Sequence, residues 1–333
     1  MPVIKLADGV EYRCADDDTL LRAGLRSGLG MPYECNAGSC GTCKVELVEG
    51  QVTSLRPDAP GLTDVDRGKR RVLACQSRPT SDCSIKVRLR PENVPRHRPG
   101  RFRATLEGVR DLTHDMREFR FHAEGAPGFL PGQYALFYLP GVEAPRTYSM
   151  SNVDLGDGRW EFIVRRVSGG VGTVTLFDKV PVGSAIELDG PYGLAYLRTD
   201  SPRELVLVGG GSGLAPMLSI ARGAVRAPEL AQRQIHVFHG VRAVQDLCGK
   251  PEFSALPGYG SRLDFRAVVS EPEPGTWDGP TGFVHEHVRP LIGERWNAFD
   301  YYFAGPPPMA EAMQRMLIDK RVPFPQVHFD RFF

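Results

Sequence analysis

The chain has 333 residues, with 41 basic and 40 acidic side chains and a formal net charge of +1. That balance excludes a strongly basic nucleic-acid binder and a protein held to acidic membranes by charge, and no apolar run approaches the ~18 residues that cross a bilayer. The opening MPVIKLADG has no signal-peptide core, so a cytosolic location is expected, and seven cysteines there point to metal or redox chemistry, not a disulfide framework.

At roughly 100–200 residues per domain the length suits two or three domains. In chain order, residues 4–6 and Tyr12 flank Asp8-Gly9 as a hairpin. Asp18 and Thr19 stand where a helix over 20–29 would be capped. Then comes "YECNAGSCGTCK" (33–44), with Cys35, Cys40 and Cys43 in the spacing C-x4-C-x2-C. A zinc knuckle needs a second cysteine or histidine pair at set spacing downstream, and none follows. A distant single cysteine instead completes the plant-type [2Fe–2S] ligand pattern, and Cys75 in "VLACQS" supplies it. Small residues between the ligands let the backbone wrap closely round a cluster, and Gly38 and Gly41 tolerate the φ angles this requires. Residues 44–48 alternate as a strand. Cys14, Cys83 and Cys248 have no place in the pattern and read as packing residues. This first segment resembles the small β-grasp ferredoxin fold.

"RLRPENVPRHRPGR" (88–101), with three prolines and five arginines, reads as an interdomain linker. Short alternating runs at 103–109, 118–122, 135–138, 160–167 and 185–188 then indicate a barrel or sandwich. From 205 the texture changes. Apolar strands at 205–208, 235–238, 265–269 and 301–303 alternate with helical stretches at 215–224, 281–292 and 308–320, the sign of βαβ units on a parallel sheet. The expected division is 1–88, a linker at 89–101, 102–200 and 201–333.

Two motifs in the β-rich part carry chemistry. "APRTYSMSN" (144–152) holds Arg146-Thr147-Tyr148-Ser149. "SGGVGTVTLF" (168–177) sets Gly170, Val171, Gly172 and Thr173 at a helix start, where bare N–H groups and the helix dipole bind phosphate. In the last part, "LVLVGGGSGLAP" places Gly210, Gly211, Ser212, Gly213 and Pro216 straight after a strand and into a helix, a turn that admits a pyrophosphate.

On these residues the chain resembles the ferredoxin–NADP reductase superfamily. The resemblance implies an antiparallel β-barrel flavin domain and a Rossmann-like parallel-sheet nicotinamide domain behind the ferredoxin domain. The FAD contacts it implies are Arg146 to Ser149, Val164, Gly170 to Thr173 and Phe333, with Phe332 the alternative to Phe333 as the terminal aromatic beside the flavin. For the nicotinamide it implies Gly210 to Gly213, Pro216 and Arg242, with Gly305, Pro306, Pro307 and Met309 of "AGPPPM". There the family's cysteine is Ala304, a departure that questions any thiol role in hydride transfer. The end of strand 235–242 lacks an acid for a ribose 2′-hydroxyl, and Arg242 either meets a 2′-phosphate or is simply exposed. NADH is the coenzyme expected from the family branch.

The three cofactors then fall into an order. NADH gives two electrons as a hydride, an iron–sulfur cluster takes one at a time, and FAD does both. Electrons thus run from NADH to FAD to [2Fe–2S] to an external acceptor, with no catalytic acid or base required. The domain order resembles reductase components of bacterial multicomponent oxygenases along essentially the whole chain, most closely those of toluene- and phenol-type di-iron monooxygenases. The partner this implies is a Rieske ferredoxin or the di-iron hydroxylase, and the chain is expected to be a monomer. Naphthalene-type dioxygenase reductases and reductases serving a sugar-deoxygenating dehydratase share the architecture. A redox sensor is disfavoured because nothing resembles an effector domain.

Overall fold

The computed structural model describes residues 1–332, so Phe333 lies outside the described residues. The first unit contains β1 (Val3–Leu6), β2 (Glu11–Arg13), α1 (Leu20–Arg26), β3 (Lys44–Glu49), β4 (Val52–Ser54), α2 (Asp64–Gly68), β5 (Arg71–Leu73), β6 (Ser77–Pro79) and β7 (Cys83–Lys86). Five strands form a sheet in the order β2-β1-β7-β3-β5, while β4 pairs with β6 beside it. Only β1 and β7 run parallel, which is the β-grasp arrangement. Leu20, Leu21 and Leu25 of α1 share one core with Ile4, Val45 and Ile85 of the sheet. The Thr19 hydroxyl caps α1 by accepting from the Arg22 amide at 3.4 Å. The helix ends at Arg26, short of residue 29, because Gly28 turns the chain away at φ +82°.

The second unit holds β8 (Gly100–Asp111), β9 (Met116–His122), β10 (Tyr134–Tyr138), β11 (Arg146–Ser149), β12 (Arg159–Arg165), α3 (Val171–Lys179) and β13 (Ala185–Tyr192). Its six strands pair antiparallel in the order β11-β10-β13-β8-β9-β12. The outer strands meet just beyond β11. Met150 bridges Phe162, and the Ser151 amide donates to the Glu161 carbonyl at 2.7 Å. The sheet thereby approaches a closed barrel. Its interior is aromatic: Phe137 meets Phe121 and Phe162 edge-on, with ring centroids 5.4 and 4.7 Å apart, a geometry that suits ring quadrupoles.

The third unit comprises β14 (Glu204–Gly210), α4 (Leu214–Arg226), β15 (Ile235–Val241), α5 (Lys250–Ser254), β16 (Leu263–Val269), α6 (Val284–Ile292), β17 (Phe299–Gly305), α7 (Pro307–Asp319) and β18 (Val327–Arg331). All five strands are parallel, in the order β16-β15-β14-β17-β18. Leu205 and Leu207 share a core with α4, whereas Val206 and Val208 face Val288 and Met313 of α6 and α7. Burial on both faces explains the unbroken apolar run of β14. The strand order reverses between β14 and β17, where such sheets open a ligand crevice at their carboxyl ends. The edge strand β18 goes beyond the pattern read from the sequence, which placed no strand near the end.

The segment read as a linker is packed. The Arg90 amide donates to the Gly30 carbonyl at 2.8 Å, and the buried Asn93 side chain donates to the Met31 carbonyl at 3.1 Å. β8 already begins at Gly100. The first unit docks on the barrel through charged and phenolic groups. Arg26 forks onto the fully buried Asp189 at 3.0 and 2.8 Å, Arg22 donates to the Tyr138 hydroxyl at 3.0 Å, and Arg101 pairs with Asp17. Bidentate guanidinium–carboxylate geometry fixes orientation as well as distance.

Two glycines of the first unit test this packing. A Cβ on Gly30 would fall 2.0 Å from the Arg90 carbonyl oxygen, whereas one on Gly68 in α2 meets nothing within 4 Å. Gly30→Ala is expected to destabilise the protein by roughly 2–3 kcal/mol through overpacking. Gly68→Ala is expected to be neutral or to stabilise it by up to about 1 kcal/mol. Urea unfolding of the two variants checks the contrast.

Candidate functional site

The loop from Cys35 to Cys43 crosses from α1 to β3, and Cys75 sits in a short turn directly after β5. Cys43 and Cys75 are buried, while Cys35 and Cys40 are part-exposed. The four sulfurs form two pairs. The thiols of Cys35 and Cys40 lie within hydrogen-bond reach of each other, as do those of Cys43 and Cys75. Among the described residues no three of these sulfurs lie within 4.8 Å of one another. A single tetrahedral zinc, with Zn–S near 2.3 Å, would draw all four to about 3.8 Å. Two separated pairs fit a binuclear cluster with two thiolates on each iron. Backbone N–H groups already point at sulfur: Ala37 and Cys40 donate to Cys35 at 3.4 Å, and Thr42 donates to Cys40 at 3.5 Å. The bond with the Cys35 thiol, helped by backbone and Thr42 donors, holds the Cys40 thiol below the usual thiol range against the effect of its burial. Cys14 and Cys83 are buried in the same apolar core as Cys43 and Cys75, and Cys248 is part-buried in the core of the third unit.

The loop rests on a support that the sequence pattern does not announce. The Gly61 amide donates to the Gly38 carbonyl at 3.0 Å, and a Cβ on Gly61 would sit 2.7 Å from that oxygen. Buried Arg22 donates to the Asn36 side chain at 3.3 Å, so a cation lies behind the loop.

Arg146, Thr147, Tyr148 and Ser149 are the whole of β11, paired with Phe137, Leu136, Ala135 and Tyr134 of β10. Alternation along the strand separates Arg146 and Tyr148 from Thr147 and Ser149. Tyr148 packs edge-on against Phe137 at 4.8 Å, and burial pushes its phenol up to about 12. Arg146 lies across the first turn of α3, because a Cβ on Gly172 would meet its Cγ at 2.7 Å. A guanidinium and the free amides of a helix start thus converge, which is a diphosphate-binding arrangement. The Thr173 hydroxyl is already engaged, accepting from the Val167 amide at 3.1 Å and donating to the Gly170 carbonyl at 3.2 Å. Val164 is buried inside the barrel by protein alone, so its side chain acts in packing.

Gly210 ends β14, and Gly211–Gly213 form one tight turn before α4. Pro216 is buried in the first turn of that helix. The turn abuts the end of β17: a Cβ on Gly213 would lie 1.9 Å from the Ala304 carbonyl oxygen, and one on Gly210 would lie 2.6 Å from Met309 Sδ. No residue but glycine fits at 213. Gly210, Gly211, Arg242, Pro306 and Met309 line one cavity of about 270 Å³, together with Arg165, Asp115 and Asp246. Ser212, Gly213, Pro216, Gly305 and Pro307 are not among its lining residues. The Arg242 side chain is three-quarters exposed and lies 3.9 Å from Glu271. The barrel supplies Arg165 and Asp115, so the cavity spans two units. Nothing in the spacing of those residues signalled it.

A second, smaller cavity joins the other sites. Cys35, Thr147, Ser149, Tyr134, Asp330 and Phe332 line it. Two groups hold Glu34, the neighbour of Cys35, in place there. The Tyr134 hydroxyl donates to its carbonyl at 2.6 Å, and Arg331 forks onto its carboxylate at 3.1 Å to each oxygen. Burial, helped by the charge of Glu34, pushes the Asp330 carboxyl up to about 7, so this group can hold a proton near neutral pH. Phe332 is anchored by its amide, which donates to the Gly305 carbonyl at 3.0 Å. The cavity therefore brings together Cys35 of the cysteine loop, the Thr147–Ser149 face and the chain end beside the glycine turn. Glu34, Tyr134 and Arg331 were missed from the sequence, where each is an ordinary polar or aromatic residue far from the others.

Three families match the chain in this order. They are the 2Fe-2S iron-sulfur cluster binding domain over residues 4–80, the oxidoreductase FAD-binding domain over 103–196 and the oxidoreductase NAD-binding domain over 207–315. Among relatives, the chain is 40% identical to the ferredoxin–NAD(P)+ reductase CarAd of Metapseudomonas resinovorans, covering 99% of both chains. It is 39% identical to the ferredoxin–NAD+ reductase component of the alkene monooxygenase system of Xanthobacter autotrophicus, covering 99% of this chain and 100% of that one. The phenol 2-monooxygenase reductase component of a Pseudomonas species is 30% identical over 96% of this chain and 90% of its own. Among solved structures, the ferredoxin reductase in carbazole 1,9a-dioxygenase superposes with a TM-score of 0.92 at 36% identity, covering 100% of this chain and 98% of that one. The protein therefore belongs to the ferredoxin–NAD(P)+ reductases of oxygenase systems, oxidoreductases that carry electrons from a nicotinamide dinucleotide through FAD to a [2Fe–2S] cluster.

Proposed function

We propose that the chain draws its electrons from NADH and delivers them singly to the Rieske ferredoxin of a di-iron monooxygenase system acting on a hydrocarbon, working as a monomer in the cytosol. The cavity shared by Cys35, Ser149 and Phe332 carries this reading, because it sets the exit ligand beside the flavin motif. Bound FAD supplies the change from two-electron to one-electron transfer. The protein's part is positioning. Arg146 and the α3 amides from Val171 to Thr173 hold the diphosphate, and Tyr148 and Ser149 orient the flavin ring. The turn from Gly210 to Gly213 takes the pyrophosphate of the dinucleotide, and Pro306 to Met309 bound its nicotinamide end. Cys35, Cys40, Cys43 and Cys75 are the cluster ligands.

A ferredoxin acceptor is supported by the names of the relatives at 39–40% identity, both ferredoxin reductases, against 28–30% for the phenol hydroxylase components. The likeness to the ferredoxin reductase in carbazole 1,9a-dioxygenase favours a second reading, in which the oxygenase is a ring-hydroxylating dioxygenase. Reconstitution with purified ferredoxin and oxygenase components separates the two, since only the true partner gives NADH-dependent product formation.

Two outcomes check the assignments. Cys75→Ser is expected to lose the visible iron–sulfur bands while keeping flavin absorption. NADH-dependent ferricyanide reduction should then survive within about twofold, while cytochrome c reduction falls by about 100-fold or more, as the loss of one cluster ligand requires. Coenzyme choice is expected to favour NADH in kcat/KM by about tenfold or more. A 2′-phosphate near Arg242 would also face Glu271 and the buried Asp246 carboxylate. Steady-state rates with NADH and NADPH decide it, and equal values would remove Glu271 and Asp246 as discriminators.

A further inference from the structure

Residues 1–86 contain 12 basic and 12 acidic side chains. A neutral unit steers a partner only if its charges are unevenly placed. They are uneven around the stretch 56–71. A groove of about 360 Å³ runs there, with Leu47, Leu62 and Leu73 in its floor and Arg56, Arg67, Arg70 and Arg71 round it. The stretch 56–71 has five basic and three acidic residues, a surplus of two.

The arginines are weakly answered within the chain. Arg56 and Arg67 stand 3.9 Å from the exposed Asp58 and Asp64, and such exposed pairs are worth little. Arg71 shares the single carboxylate of Asp66 with Lys44, at 3.1 and 2.7 Å. Arg70 has no ion-pair partner among the described residues, and it holds φ +52°, a conformation that favours glycine. The hydrogen bonds and ion pairs that join this unit to the barrel and to β18 run through Asp17, Arg22, Arg26, Tyr33 and Glu34. None uses the groove.

The groove is also close to the cluster ligands. Arg56 donates to the Ala37 carbonyl at 3.2 Å, Gly61 supports Gly38, and Leu73 lies two residues before Cys75. An occupant would touch the segments that carry and brace the thiols. Electron-transfer partners bind through small interfaces, and a groove of this size takes an apolar side chain flanked by carboxylates.

Building on the electron-transfer function proposed above, we propose that this arginine-rimmed groove is the docking site of the electron acceptor, a protein that presents an acidic rim around an apolar contact.

The experiment uses the full-length holoprotein and two probes with the same haem and opposite charge, native (basic) cytochrome c and succinylated (acidic) cytochrome c. For wild type, kcat/KM toward the succinylated form is expected to fall with salt and that toward the native form to rise. Arg67→Glu/Arg70→Glu is expected to raise KM for the succinylated form about tenfold and to lower it for the native form. Its [2Fe–2S] spectrum and NADH–ferricyanide rate should stay unchanged, and Arg67→Lys/Arg70→Lys should behave as wild type. A wild-type rate on the succinylated form that rises with salt overturns the assignment without any variant. So does a double variant indifferent to probe charge, or a wild-type dimer that the same substitutions split, which would give the groove to a second copy. Wild type that reduces ferricyanide but neither cytochrome would instead overturn the electron exit through the cluster.

Discussion

Electron transfer between a cluster and a flavin depends on a fixed short separation, and in this chain that separation hangs on Glu34. The residue is gripped from two units at once. Tyr134 of the barrel holds its main-chain carbonyl, and Arg331 of the last strand holds its carboxylate. Cys35 follows directly, so this proposed cluster ligand inherits the position of its neighbour. Tyr134 is also the register partner of Ser149. One tyrosine thus links the cluster loop to the strand that carries the flavin motif. The buried fork between Arg26 and Asp189 keeps the two units from rotating about that point.

The rest of the architecture serves the same convergence. A nearly closed barrel with an aromatic interior gives β11 a rigid backing, so that side chains on its two faces keep their directions. The parallel sheet reverses strand order between β14 and β17, which places two glycine turns side by side. β18 then extends that sheet toward the cluster loop. A strand of the nicotinamide unit therefore ends in contact with the iron–sulfur unit, and three domains share one small cavity.

What was legible in the sequence was local. The cysteine spacing, the RTYS strand, the glycine turn after β14 and the alternation of apolar strands with helices all act over a few residues, and their chemistry shows in their order. What was hidden acts at a distance. Tyr134 and Glu34 are 100 positions apart, and Arg331 and Glu34 are 297 apart. No periodicity marks such pairs. The proline-rich stretch shows the limit from the other side. Its composition kept α-helix out of the stretch, yet it could not show that a 3₁₀ turn over Pro91–Asn93 and the start of the central strand β8 fall within it, or that Arg90 and Asn93 would bind the turn after α1. The resemblance to the reductase superfamily pointed to the three cofactor domains, but Glu34 and Arg331 emerged only from the packed chain.

Ala304 changes how the nicotinamide end withstands its own chemistry. Reduced flavin that meets dioxygen yields peroxide, and a thiol at this strand end would be open to sulfenic and then irreversible sulfinic oxidation. Alanine offers nothing to oxidise. The sulfur that remains beside the glycine turn is the Met309 thioether, whose sulfoxide is enzymatically repairable. Where the family's cysteine would stand, the chain thus has no thiol to lose, and oxidation of the neighbouring Met309 is a reversible step.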